Sequence, residues 1–114
     1  MKHNALEMTL LLDYYGDLLT EKQRTCFDLY YNQDLSLGEI AEEAGISRQG
    51  VHDSLARAEA SLLAMEEKTG CIARAKAVQQ AVQTICTAAE QLLSIPQAEE
   101  LAKTILKAAG DIKE

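Results

Sequence analysis

The sequence predicts an all-α protein, and three observations support that fold class. Ala, Leu, Glu, Gln and Lys, which favour helices, dominate the chain. Proline occurs once, and neither Asn-Gly nor Asp-Gly, the dipeptides typical of tight β-hairpins, is present. Apolar residues also recur at intervals of three and four along most of the chain, which is the period of an amphipathic helix.

The first two predicted helices are divided by a helix-start signal. The spacing of apolar residues predicts a helix from about Leu6 to Leu19. In 20-TEKQ-23 the Thr20 hydroxyl can accept a hydrogen bond from the Gln23 amide while the Gln23 side chain reaches back, which makes a capping box. A second helix should therefore begin there and end near residues 32–34. The predicted buried positions are Leu6, Leu10, Leu11, Tyr14 and Leu18 in the first helix and Cys26, Phe27, Tyr30 and Tyr31 in the second.

The next segment predicts a helix-turn-helix. A second capping box, 36-SLGE-39, opens a short helix, and Gly45 can end that helix in the left-handed conformation. Ser47 then caps a longer helix that should reach Lys68. A short helix, a glycine turn and a capped second helix form the helix-turn-helix pattern. The predicted inward positions are Leu37, Ile40, Ala41 and Ala44 in the short helix and Val51, Leu55, Ala58 and Leu62 in the longer one.

The sequence after the break at Thr69-Gly70 predicts a helical hairpin. The chain therefore divides into a helix-turn-helix domain at residues 1–69 and a C-terminal amphipathic hairpin at residues 70–114. Pro96 separates the hairpin's two helices, because proline suits a first helical turn and pushes the preceding residue out of helical geometry. Such a hairpin cannot bury its apolar stripes fully, so it should pack on the first domain or on a second copy, and we expect a homodimer. The predicted stripes are Ala75, Val78, Val82, Ile85, Ala89 and Leu92, then Ala98, Leu101, Ile105, Ala108 or Ala109, and Ile112.

The composition argues against several classes of protein. No apolar run approaches the roughly 20 residues of a membrane span, and the N-terminus lacks the apolar core of a signal peptide, so a cytoplasmic protein is expected. Cys26, Cys71 and Cys86 are widely spaced and the chain has two histidines, so neither a disulfide framework nor a metal site is predicted. The sequence shows no nucleophile-and-base arrangement and no phosphate-binding glycine loop, so it predicts no enzyme and no cofactor.

Acidic residues outnumber basic ones, and they are unevenly placed. The formal net charge is −7; residues 1–46 carry three basic and nine acidic residues, whereas residues 69–114 carry five of each. No segment has the cluster of cations that phosphate binding normally requires. The acidic part of the chain is therefore better suited to a basic partner.

The candidate contact residues lie mainly at the start of the second helix of the motif. In helix-turn-helix proteins this turn faces base edges, so Arg48 could pair with guanine and Gln49 with adenine. Asp53 beside them would repel phosphate, and an ordinary solvated surface is the alternative interpretation. Arg57 is either a contact or the i+4 partner of Asp53. The complete candidate set is Lys22, Arg24, Ser47, Arg48, Gln49, His52 and Arg57.

Three segments carry a family resemblance. They are 18-LLTEKQR-24, the pair Tyr30-Tyr31 and 34-DLSLGEIAEEAGISRQGVHDSLARAE-59. Over about residues 3–70, the chain closely resembles the YlxM-like family of small bacterial helix-turn-helix proteins. Gly50 and His52 stand where an alanine and an aromatic hydroxyl residue are more usual in that family, and both lie on the predicted recognition helix.

The resemblance implies a fold like region 4 of bacterial sigma factors and an accessory or regulatory role in the signal recognition particle pathway. The partners it implies are the particle's GTPase, its RNA, or both. The alternative is a transcription regulator that binds duplex DNA through the segment from Ser47 to Arg57. Fold alone does not decide between these functions, because the same fold serves many.

Overall fold

Helix-start and helix-stop signals divide the chain into six helices within residues 3–112, the part that the computed structural model describes. The described residues contain no strand, so the predicted all-α fold class is confirmed. The ends of the two predicted domains, residues 1–2 and 113–114, lie outside the described range. The helices are α1 (Ala5–Tyr15), α2 (Glu21–Tyr31), α3 (Leu37–Ala44), α4 (Arg48–Thr69), α5 (Cys71–Leu92) and α6 (Glu99–Ile112), and a short 3-10 turn (Gly16–Leu18) lies between α1 and α2.

The chain forms two compact units, Met1–Ile72 and Ala73–Glu114. We call them the helix-turn-helix unit and the hairpin unit. The first contains α1 to α4, and the second contains α6 and nearly all of α5.

Both predicted capping boxes are present. The Thr20 hydroxyl accepts a hydrogen bond from the Gln23 amide at 3.1 Å, and the Gln23 side chain accepts one from the Thr20 amide at 3.0 Å. Ser36 and Glu39 make the same pair of bonds at 3.1 and 2.9 Å. Each box satisfies two backbone groups that a helix start leaves without partners, which fixes where α2 and α3 begin.

The core of the helix-turn-helix unit is built around α2 and α4. Phe27 is fully buried, and its ring lies 4.7 Å from that of Tyr31 between centroids. All four predicted inward positions of α4, Val51, Leu55, Ala58 and Leu62, are buried. Ala44, by contrast, was a predicted inward position of α3 and is exposed, since α3 ends there. The buried residues of this core are Met8, Leu11, Tyr15, Leu19, Cys26, Phe27, Leu29, Tyr31, Ile40, Val51, Leu55, Ala58, Leu62 and Ile72.

The predicted buried stripe of α1 is wrong by part of a turn. Leu6, Tyr14 and Leu18 are 84%, 47% and 57% exposed, whereas Met8 and Tyr15 are buried. Paired apolar residues such as Tyr14-Tyr15 offer two neighbouring stripes on this helix, and local spacing cannot choose between them.

Hydrogen bonds between Tyr15 and the end of α4 hold α1 in its observed rotation. The Tyr15 hydroxyl donates to Glu66 at 2.5 Å and lies 2.7 Å from the Thr69 hydroxyl, both near the end of α4. The same Glu66 carboxylate accepts the Ile72 amide at 3.0 Å. Burial and the Glu66 contact raise the pKa of Tyr15, so the hydroxyl stays protonated and remains a donor.

The hairpin unit buries small side chains and exposes large ones. The buried apolar side chains among its described residues are one valine, Val82, and the three alanines Ala89, Ala102 and Ala109. Within the predicted stripes, Val82, Ala89 and Ala109 are therefore confirmed, but the large members are not buried. The exposed members are Val78, Ile85, Leu92, Leu101, Ile105 and Ile112, at 36% to 68% exposure, together with Ala75 and Ala108.

The turn between the hairpin's helices lies near the predicted break. α5 ends at Leu92, and α6 begins at Glu99, three residues after Pro96. The Ile95 amide bonds to the Leu92 carbonyl and the Ala98 amide to the Ile95 carbonyl, both at 3.0 Å. These turn hydrogen bonds satisfy backbone groups that the two helix ends leave without helical partners.

The two glycines at the ends of α3 are expected to respond in opposite directions to alanine. Gly45 has φ of 69°, so Gly45→Ala should cost about 1 to 2 kcal/mol of unfolding free energy although no atom lies near its missing side chain. Gly38 lies inside the helix with only ordinary contacts, so Gly38→Ala should leave the stability unchanged or raise it by up to about 1 kcal/mol. Urea unfolding of both variants tests this; equal losses would contradict it.

Candidate functional site, the surface of the helix-turn-helix

The turn of the motif is set by Gly45. It holds the left-handed conformation, and the Ile46 amide that follows bonds to the Ala41 carbonyl at 3.1 Å. Ile40 before the turn and Val51 after it are both fully buried, so the two helices are anchored on the same core. This arrangement confirms the predicted helix-turn-helix and turns the start of α4 outward.

The first turn of α4 carries exposed polar side chains. Ser47 caps it, because its hydroxyl accepts the Gly50 amide at 2.9 Å. Arg48, Gln49 and His52 follow, and all three are exposed. The backbone amides of this first turn also present partial positive charge, which favours an anionic or carbonyl-bearing ligand.

Asp53 engages two of these side chains. The Gln49 side-chain amide donates to the Asp53 carboxylate at 3.0 Å, and His52 Nδ1 lies 3.5 Å from the same oxygen. The Gln49 hydrogen bond, followed by the His52 contact, lowers the pKa of Asp53, so the carboxylate stays charged. The candidate contact residues Gln49 and His52 are therefore occupied by a neighbouring anion in the free protein.

Arg57 does not form the predicted close pair with Asp53. The ionic and hydrogen-bond contacts of Asp53 go to His52 and Gln49, and Arg57 acts on it only by weaker, longer-range attraction that contributes to the lowered pKa. Gln49 lies one helical turn before Asp53, as Arg57 lies one turn after it, and the shorter Gln49 side chain makes the contact.

The two basic residues at the start of α2, Lys22 and Arg24, have different surroundings. Arg24 is paired with Asp17, at 3.1 Å between Nη1 and Oδ1. Lys22 lines a shallow groove with Thr25 and with Ala44, the last residue of α3. The structure thus brings Lys22 next to the turn of the motif and gives Arg24 an acidic neighbour.

Gly50 lies where a side chain would touch the cap of α4. An alanine Cβ there would meet the Ser47 hydroxyl at 3.1 Å and Ile46 Cδ1 at 3.7 Å. The nearest atoms belong to side chains, so no other backbone of the described chain makes use of the missing Cβ. The glycine therefore leaves the capping hydroxyl unhindered.

Tyr31 forms a second polar contact that the sequence pattern did not predict. Its hydroxyl donates to Glu59 on α4, and the His3 amide donates to the same hydroxyl at 3.4 Å. Burial and the Glu59 carboxylate raise the pKa of Tyr31 far above its ordinary value. Tyr15 and Tyr31 are therefore part of the buried core, with their hydroxyls bonded to glutamates, and neither offers a stacking surface.

Removing the Gln49 side chain is expected to raise the pKa of Asp53 toward that of an ordinary aspartate. The Gln49 amide is the largest cause of the lowered pKa, and Gln49→Ala deletes it while leaving His52 in place. The carboxyl carbon of Asp53, followed by NMR during an acid titration, measures the shift. Gln33→Ala is the matched control, since Gln33 contacts Asp28 instead; an unchanged Asp53 in Gln49→Ala would contradict the assignment.

The described residues show neither a metal-binding group nor a membrane-spanning helix. No three His, Cys, Asp or Glu side chains in residues 3–112 come together as metal ligands. The three cysteines form no disulfide; Cys26 is buried and Cys71 and Cys86 are half-buried. None of the described helices is both long and apolar enough to cross a bilayer.

The fold and this surface define a helix-turn-helix protein with a C-terminal helical hairpin. Residues 2–105 match the model of the UPF0122 family, described as "Putative helix-turn-helix protein, YlxM / p13 like". The chain belongs to this family. The match extends well past residue 70, where the resemblance seen in the sequence motifs stops, so the hairpin is part of the family's pattern.

Relatives match all or part of the chain. A UPF0122 protein of Thermoanaerobacter sp. (strain X514) is 45% identical over 114 residues, which covers 100% of this chain and 97% of that protein. A UPF0122 protein of Caldanaerobacter subterraneus subsp. tengcongensis is 51% identical over 85 residues, covering 75% of this chain and 73% of that protein. One from Acetivibrio thermocellus is 58% identical over 66 residues, 58% of this chain and 56% of that protein.

Proposed function

We propose that the protein is a non-enzymatic accessory or regulatory component of the signal recognition particle pathway in the cytoplasm. It acts through its sigma-region-4-like helix-turn-helix unit, which meets the particle's GTPase, its RNA, or the complex of both. The observation that carries the proposal is that two polar side chains at the start of α4 already contact a neighbouring carboxylate. Gln49 and His52, which would contact bases, are engaged by Asp53 in an acidic unit.

Charge supports a protein or ribonucleoprotein partner over bare nucleic acid. Residues 1–72 carry six basic and thirteen acidic residues, so a phosphate backbone approaching this unit meets net repulsion. The exposed pair Glu42-Glu43 on α3 adds negative charge beside the turn of the motif. A basic protein surface would be attracted instead, mainly through a faster encounter.

The second candidate is a regulator that binds duplex DNA. The observation in its favour is the exposed start of α4, where Ser47, Arg48 and Gln49 follow the Gly45 turn as they would in a DNA reader. For this function Gln49 would have to leave Asp53. Binding would then fall steeply with salt, and Arg48→Ala with Gln49→Ala would weaken sequence preference.

Binding to the purified particle GTPase, with and without its RNA, tests the proposal. The double variant Glu42→Gln/Glu43→Gln should weaken retention by roughly tenfold, because it removes attraction next to the motif. Glu99→Gln/Glu100→Gln in α6 is the matched control, with the same charge change in the other unit, and should bind as the unaltered protein does. Absence of any retention, and of any change in GTP turnover, would overturn the proposal.

We also propose that the protein works as a homodimer. Two copies of the helix-turn-helix unit on one assembly would raise the effective concentration of the second contact once the first is made. The hairpin unit is the part of the chain that supports this proposal, because its large apolar residues are exposed.

A further inference from the structure

We propose that one face of the hairpin unit is the dimer interface and that two hairpins join there as a four-helix bundle. This inference rests on the homodimer part of the proposed function and names its surface. We call the surface the outer face. Its large residues are Val78, Ile85 and Leu92 on α5 and Leu101, Ile105 and Ile112 on α6.

The hairpin's own core is too small to account for its apolar residues. Among its described residues a single valine and three alanines are buried and Leu93 and Leu106 are half-buried, whereas the six large aliphatic residues of the outer face are 36% to 68% exposed. Units of about 40 residues rarely hold a stable fold on so little burial without a further partner. The arrangement is therefore incomplete as it stands.

Helical geometry places the six large residues on one side of the hairpin. On α5 they follow one another every seven residues, displaced by less than a quarter-turn from the buried Val82 and Ala89. On α6, Leu101, Ile105 and Ile112 are displaced in the same rotational sense from Ala102 and Ala109. In an antiparallel helix pair whose buried faces meet, such displacements bring both sets to the same side. Val78, Val82 and Ile112 line one shared groove, which agrees with this placement.

The pattern of the outer face suits a second copy of itself. Small residues alternate with large ones at coiled-coil spacing, in the order Val78, Ala81, Ile85, Ala88 and Leu92 on α5. A symmetric partner can place its large residues against these small ones, and alternation of this kind permits close packing. The α6 row has the same character, with Leu101, Ile105, Ala108 and Ile112.

The charge of the hairpin unit and the exposed area of its outer face both favour a second copy of the chain as the partner. The hairpin unit carries five basic and five acidic residues, so two copies meet there without net repulsion. The six side chains expose apolar surface on the order of 500 Å², more than the few hundred Å² that a soluble monomer usually leaves uncovered. With a polar rim this approaches the roughly 800 Å² per partner of a standard specific interface.

Sedimentation of the full-length chain tests the inference. The unaltered protein should be a dimer at micromolar concentration, and Ile85→Glu or Ile105→Glu should raise the dissociation constant by about 100-fold or more, because each buries two unpaired charges across the symmetric interface. Thr87→Glu is the matched control, because its helical neighbours Gln83, Glu90 and Gln91 place it on the polar side of α5, and this variant should remain dimeric.

Circular dichroism of each variant separates dissociation from unfolding. If Ile85→Glu loses helix, Ala88→Glu replaces it, since Ala88 is a small exposed residue outside the hairpin's own core. A strictly monomeric unaltered protein would overturn the inference together with the homodimer. A dimer that survives both outer-face variants would overturn the inference alone. Retention of the particle by a monomeric variant is measured separately, so failure of the interface leaves the particle proposal standing.

Discussion

Leu62→Ala is expected to remove about 3 to 5 kcal/mol of unfolding free energy, a large part of what holds the helix-turn-helix unit together. Leu62 is fully buried in the core, so its truncation loses apolar burial and leaves a cavity beneath α4. Leu63, the next residue on the same helix, is 37% exposed. Leu63→Ala deletes the same atoms, and it should cost less than about 1 kcal/mol.

Urea unfolding of the two variants at one fixed protein concentration measures the difference. The fixed concentration matters because dimer formation adds to apparent stability by mass action. Similar losses for the two leucines would show that the rotation of α4 is not as described, and the placement of Arg48 and Gln49 on its outer side would fall with it.

Met8→Ala and Leu6→Ala test the rotation of α1 in the same way. Met8 is 1% exposed and Leu6 is 84% exposed, the reverse of what the apolar spacing predicts for Leu6. Met8→Ala should therefore cost about 2 to 4 kcal/mol, and Leu6→Ala should stay within about 0.5 kcal/mol of the unaltered protein. Thermal and urea unfolding give the comparison; a larger loss in Leu6→Ala would restore the stripe predicted from the sequence.

Local signals predicted the starts of α2, α3 and α4 and the end of α3 well, because they are complete within a few residues, whereas the predicted end of the first helix at Leu19 was wrong, since α1 ends at Tyr15. Thr20, Ser36 and Ser47 each accept the backbone amide three residues on, and Gly45 takes the conformation that its position after α3 requires. The inward face of α4 was also predictable, since one set of apolar positions on it, ending at Leu62, is clearly separated from the polar ones.

Helix rotation was less predictable where a helix has two apolar stripes. On α1 the choice depends on the hydrogen bond from Tyr15 to Glu66, which are 51 residues apart. In the hairpin the small residues Ala102 and Ala109 are buried and the larger Leu101 is exposed, because each helix is apolar over an arc wider than one partner helix covers. Spacing identifies such an arc, but it does not say which half faces which neighbour.

The exposed positions of the candidate contact residues were predictable from the sequence, but their contacts in the free protein were not predicted. Ser47, Arg48, Gln49 and His52 are exposed on α4, where the motif places them. The engagement of Gln49 and His52 by Asp53 was missed, although the four-residue interval between Gln49 and Asp53 is itself a signal that the two side chains meet on a helix. This contact changes the interpretation of the surface, because a reader of bases would first have to release it.

We propose that this helix-turn-helix serves a protein or ribonucleoprotein contact in the signal recognition particle pathway. Co-purification of the full-length chain from cell extract, with the recovered protein, RNA and DNA each identified, tests it most directly. We predict recovery of the particle's GTPase, its RNA, or both, with no enrichment of duplex DNA. Recovery of a specific duplex DNA sequence alone would contradict the account.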